Sequence, residues 1–230
     1  MTMTEGYQMD ILDLDMQDAA IQGTEKQWVP PSSFPDLTTQ DRIAIDLETR
    51  DPNIKTLGPG WCRGDGYIIG VAIAAGEFVG YYPIQHESGE NFSKKKVFAW
   101  LKKQMETPHI EKVMHNAMYD LGWLRWAGIE VQGPIIDTMI AAPLLNENRM
   151  YYNLDSLARE YLSERKDEKV LKAAAAAFGV DAKGGMWRLP SHFVGLYAEQ
   201  DAAVTLRLWD RLRADLIKDE CTSIFKLESD

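Results

Sequence analysis

Asp46 and Glu48 stand two residues apart in the alternating segment Ile43-Ala44-Ile45-Asp46-Leu47-Glu48. Extended backbone sends successive side chains to opposite faces. Ile43, Ile45 and Leu47 therefore share one face, and Ala44, Asp46 and Glu48 the other. Such a carboxylate pair is either the solvated face of an edge strand or, on a central strand, a desolvated couple. A divalent cation taking oxygen ligands relieves the second case. Asp120 is a third acid, just after a short apolar strand and in the first turn of a helix, where the helix dipole alone favours a carboxylate. Asn116, four residues earlier, is placed to cap that helix or to touch a ligand. Tyr197 and Asp201 lie four apart on a long helical stretch and so share a face. A lone acid there is ordinarily a satisfied surface residue, but a phenol hydroxyl one turn from a carboxylate also makes a pair able to orient water at a metal.

The elements that must carry these groups follow from periodicity. Residues 42–49, 67–76 and 78–84 read as three strands of an antiparallel meander, punctuated by Gly70, Gly76 and Gly80. A helix over 92–105 places Phe92, Val97, Trp100, Leu101 and Met105 on one stripe. Residues 112–116 form a short strand, and the following helix closes at Gly128. Beyond Asp137 the pattern is mostly helical, ending in a long helix from Pro190 to about Lys218. Strands followed by strand and helix alternation give an α/β domain, a mixed sheet flanked by helices. The connection over 49–66 is long. Trp61 and Arg63 in it are candidates for touching a base and a phosphate, or else for plain loop packing. Lys94, Lys95, Lys96, Lys102 and Lys103 offer a phosphate track or simply the solvated face of their helix.

The chain has 230 residues, 45% apolar and 26% charged, enough to bury one large core. Its apolar runs are too short to span a membrane, and its N-terminus lacks the order of a signal peptide. Two cysteines, Cys62 and Cys221, provide neither a disulfide framework nor a thiolate metal site. The expectation is a cytoplasmic protein without a membrane partner. The net charge of −10 argues at first against nucleic acid. Residues 1–40, however, hold seven acids against Lys26 alone, and so carry −6. They read as a loosely ordered acidic extension or a partner-binding strip, with the folded domain over 41–230.

Together, Asp-x-Glu-Thr at 46–49, Asn-x-x-Tyr-Asp at 116–120 and Tyr-x-x-x-Asp at 197–201 resemble the motifs of the DEDD superfamily of 3′→5′ exonucleases, tyrosine subtype. Within it they are most similar to the proofreading domain of family A DNA polymerases, over about residues 41–228. The Asp137-Thr138 pair, the helix over 153–162 and the apolar run after Asp201 agree. The resemblance implies a ribonuclease H-like fold and hydrolysis of DNA 3′ ends to 5′-mononucleotides with two divalent cations, Mg²⁺ or Mn²⁺. It assigns the metals to Asp46, Glu48, Asp120 and Asp201, with Tyr197 positioning the attacking water. Thr49, Asn116 and Tyr119 would grip the terminal nucleotide. It also implies a DNA polymerase domain as partner, in the same or a longer chain. Two other readings stand beside it: an RNA-trimming nuclease of the ribonuclease D kind, and an inactive nuclease-like binding module.

Overall fold

The computed structural model describes residues 28–229. Five strands form one sheet: β1 (Arg42–Arg50), β2 (Tyr67–Ala75), β3 (Phe78–Pro83), β4 (Glu111–Met114) and β5 (Ile135–Asp137). Their spatial order is β3-β2-β1-β4-β5. The pairs β1/β2 and β2/β3 are antiparallel, and β1/β4 and β4/β5 are parallel. The meander and the mixed sheet are therefore as the sequence suggests, with β1 central. β5 is the strand that periodicity does not reveal, because three residues are too few to show a period.

The helices are α1 (Ile54–Leu57), α2 (Lys94–Met105), α3 (Ala117–Trp126), α4 (Thr138–Leu145), α5 (Leu154–Leu157), α6 (Lys169–Ala177), α7 (Ser191–Lys218) and α8 (Thr222–Ser229). The helix expected over 153–162 is α5 continued by a single π turn, Ala158–Leu162. None of the helices among the described residues is long and apolar enough to cross a membrane.

Alternation on the central strands builds two cores. Ile43, Ile45, Leu47, Ile68, Val71 and Ile73 face α2 and α3 through Val97, Leu101, Met105, Trp123 and Leu124. Ala44, Ala72 and Ala74 face α7 through Val194, Ala198 and Ala202. The small residues on this second face let a 28-residue helix lie close against the sheet. Gly70 has the same cause, since a Cβ there would come within 2.0 Å of the Tyr81 hydroxyl.

Residues 28–40, expected within the acidic extension, lie against the domain. Trp28 and Leu37 are buried, and Trp28 donates its indole N–H to Glu199 of α7 at 2.9 Å. A Cβ on Gly195 would strike the Trp28 ring at 2.1 Å, so glycine makes the seat for it. The remainder of the expected extension, residues 1–27, lies outside the described residues.

Candidate active site: a cleft of four carboxylates

β1 carries Asp46 and Glu48 on the face shared with Ala44, opposite Ala72 and Gly70 of β2. A register shift between Glu48 and Thr49, after which Thr49 pairs with Ile68 and Arg50 with Tyr67, interrupts the ladder, a usual way of re-aiming side chains beside a site. Asp120 is placed by α3. The start of that helix is held by Asp137, whose carboxylate accepts the backbone N–H groups of Asn116 at 2.9 Å and Ala117 at 2.8 Å. The same carboxylate accepts from Met139 at 2.8 Å and so caps α4 as well. Asn116 adopts a left-handed backbone, φ 69°, with its side chain free of capping duty. Asp120, one turn in, reaches back to accept the Leu47 N–H at 3.0 Å. α7 brings Tyr197 and Asp201, both buried, across the same sheet face.

All eight residues expected at the site line one cleft of about 650 Å³: Asp46, Glu48, Thr49, Asn116, Tyr119, Asp120, Tyr197 and Asp201. Thr49 and Tyr119 hydroxyls are 2.7 Å apart, and Tyr119 donates to Asp51 at 3.1 Å. Since the phenol has one proton, Thr49 must donate to Tyr119. These two side chains thus tie α3 to the loop that follows β1.

The loop residues take the plainer of their two readings. Arg63 is spent on Asp65, at 3.0 Å through two nitrogens, and on the carbonyls of Leu57, Gly58 and Pro59. Trp61 packs on α3, where a Cβ at Gly122 would lie 2.2 Å from its ring. The lysines of α2 sit on the helix that covers the opposite face of the sheet from the carboxylates. Lys103 pairs with Asp36 at 2.7 Å and Lys102 with Glu106 at 3.3 Å.

The electrostatics of the cleft are those of crowded, desolvated acids. Burial first, and Asp201 next, push Asp46 up to about 7, with Lys166 and Lys183 acting the other way. Burial, then Asp46 and Asp201, raise Glu48 well above the carboxylate range. Burial and Asp46 raise Asp120, against the opposing pull of the Leu47 N–H. Burial raises Asp201 too, and Lys166 counters it. The Tyr197 phenol is pushed far up by burial and by Glu48, so it stays protonated as an O–H donor.

The donors suit a hard divalent cation: oxygen ligands only, desolvated and mutually repelling. They are not gathered into a finished shell, for among the described residues no three acidic, histidine or cysteine side chains close on one point. Lys166 is the residue at these side chains that periodicity and spacing do not single out. Its ammonium lies 2.5 Å from one oxygen of Asp201 and 2.6 Å from the other. It comes from the segment between the π turn and α6, and nothing local in the sequence ties it to a residue 35 positions on.

Residues 34–217 match the 3′-5′ exonuclease family. A DNA-directed DNA polymerase of Pseudomonas phage M6 is 38% identical over 208 residues, covering 88% of this chain and 31% of the polymerase. The chain thus spans about a third of the length of that relative. Among solved structures, NrnC of Brucella melitensis with bound Mg²⁺ superposes with a TM-score of 0.60 at 21% identity, covering 84% of this chain and 81% of that one. Escherichia coli RNase D, an exoribonuclease, superposes at 0.53 and 16% identity, covering 94% and 49%. The chain belongs to the 3′-5′ exonuclease domain family found in family A DNA polymerases.

Proposed function

We propose that this domain removes nucleotides from the 3′ ends of single-stranded or frayed DNA, releasing 5′-mononucleotides, as the proofreading part of a longer chain that also holds a polymerase domain. The observation that carries the reading is the convergence of Asp46, Glu48, Asp120 and Asp201, from three distant segments, on one cleft beside a protonated phenol. The family supports hydrolysis, and a relative that is itself a DNA polymerase supports DNA over RNA. The likeness to RNase D at 16% identity speaks to the fold alone. With two free cysteines, the cytoplasm is the compartment that suits the chain. The folded unit takes in residues 28–40 together with those from 41 on, since Trp28 and Leu37 are buried against it.

In this reading Asp46, Glu48, Asp120 and Asp201 hold two divalent cations, Mg²⁺ or Mn²⁺. When bound, these supply Lewis-acid charge at the scissile phosphate and lower the pKa of an attacking water. The protein's own groups do the positioning. Tyr197 keeps its proton and donates it as a hydrogen bond to the water, and Glu48 accepts from the same water on the other side. Asn116, exposed on a left-handed residue at the cleft wall, offers its amide to the terminal nucleotide. Tyr119 presents its ring there, and Thr49 its backbone. The acid count also answers the charge objection, since a loaded cage no longer repels phosphate.

The test uses single-stranded DNA and RNA labelled at the 5′ end, with Mg²⁺, Mn²⁺ or chelator. The expected result is a ladder shortening from the 3′ end, dependent on metal and faster on DNA. Faster shortening of RNA would favour the ribonuclease D-like reading. Full-length strands of both kinds under all conditions would leave only a binding module.

A further inference from the structure

We infer that Lys166 is a built-in counter-cation that a divalent metal must displace from Asp201, so that metal loading and the Lys166–Asp201 ion pair exclude one another. The inference rests on the reading of Asp201 as a metal ligand and goes beyond it by assigning what holds that ligand beforehand. Both oxygens of Asp201 face the Lys166 ammonium, at 2.5 and 2.6 Å. The two side chains are 6% and 8% exposed, so the pair is closed off from water. The same ammonium lies 3.4 Å from the Tyr197 hydroxyl and 4.6 Å from the centre of its ring. It therefore sits where Asp201 and the phenol meet.

Two positive charges cannot share this carboxylate cheaply, because the dielectric that strengthens each attraction strengthens their mutual repulsion as well. One has to leave, and the lysine is free to do so. Lys166 belongs to a connecting segment, preceded by Ser163 at φ 56° and followed by α6 from Lys169, so its withdrawal dismantles no helix. Lys183 cannot take its place without cost, being held at the rim by Glu168 at 3.6 Å and lying 6.0 Å from the Tyr197 ring. Lys166 thus stabilises the metal-free cleft and taxes every metal that enters it.

The measurement is calorimetric titration with Mn²⁺ in the absence of nucleic acid. Lys166→Met and Lys166→Gln are expected to bind about tenfold more tightly than the native chain, and Asp201→Asn about tenfold more weakly. Unchanged or weaker affinity in both lysine variants, with Asp201→Asn still weakened, overturns the displacement and leaves the metal reading standing. No change at Asp201→Asn overturns both. A second measurement needs no variant: acetic anhydride labelling of the native chain, read by mass spectrometry. Mg²⁺ should raise labelling of Lys166 several-fold over that in chelator while leaving Lys183 as it was; equal labelling of Lys166 in the two conditions overturns the inference.

Discussion

The Asp120 carboxylate accepts the backbone N–H of Leu47 at 3.0 Å, which fastens α3 to β1 between the two acids of that strand. An acid expected to serve the chemistry or the helix dipole thus also satisfies a buried donor. Asp120→Asn keeps an oxygen for that donor and is expected to cost under about 1 kcal/mol of stability, while lowering the nuclease rate by about a hundredfold or more. Asp120→Ala should lose the rate equally and about 1–3 kcal/mol besides, from the orphaned N–H. Urea melts beside a single-turnover assay separate the two effects; equal stability of both variants would refute the tie.

Asp46 and Asp201 should part company in the metal-free protein, although loss of either is expected to abolish cleavage. The folded state raises Asp46 from an ordinary 3.8 to about 7, so stability falls as the pH rises between these values and the cost of its charge is complete above about 7. Asp46→Asn at pH 8 in chelator is therefore expected to gain on the order of 1 kcal/mol. Asp201→Asn strands the Lys166 ammonium and is expected to lose about 3 kcal/mol. Tyr197→Phe should slow cleavage about tenfold and leave metal affinity alone, because it removes one O–H donor and no ligand. Thermal midpoints in chelator and cleavage rates with Mg²⁺ check all three.

The packing of Trp28 on α7 ties residues 28–40 to the folded unit. Trp28→Ala is expected to cost about 3 kcal/mol, and Gly195→Ala to destabilise as well by driving a methyl into the ring. Removal through residue 40 should lower the melting midpoint steeply. A chain that melts unchanged after loss of residues 1–40 would restore the boundary at 41.

His86 is buried between the Tyr81 hydroxyl at 2.7 Å and the Leu189 carbonyl at 2.9 Å. Burial lowers its pKa to about 4, against about 6.5 in an unfolded chain. The unfolded state then binds the extra proton between these values, so this residue stabilises the fold fully above about 6.5 and progressively less as the pH falls to about 4. The loss is on the order of 3 kcal/mol. Raised acids such as Asp46 act with the opposite sign over much of this range, so the quantity to measure is the difference between the native chain and His86→Gln. That difference should shrink as the pH is lowered from 7 to 4.5; a difference independent of pH would mean that folding does not lower the His86 pKa.

The sequence by itself determined the chemistry and its order along the chain. Asp46 and Glu48 alternate with Ile45 and Leu47, Asp120 opens a helix behind an apolar strand, and Tyr197 shares a helix face with Asp201; each is a local, periodic fact. The mixed sheet was legible for the same reason, down to the central place of β1. Tertiary structure decided what no period records. It paired Lys166 with Asp201 across 35 positions and gave Asp137 the start of two helices. It also added the three-residue β5 and spent Arg63 on its own loop. The division has one physical cause: alternation and helical repeat are set by neighbouring backbone, while a charge finds its partner only after distant elements have packed.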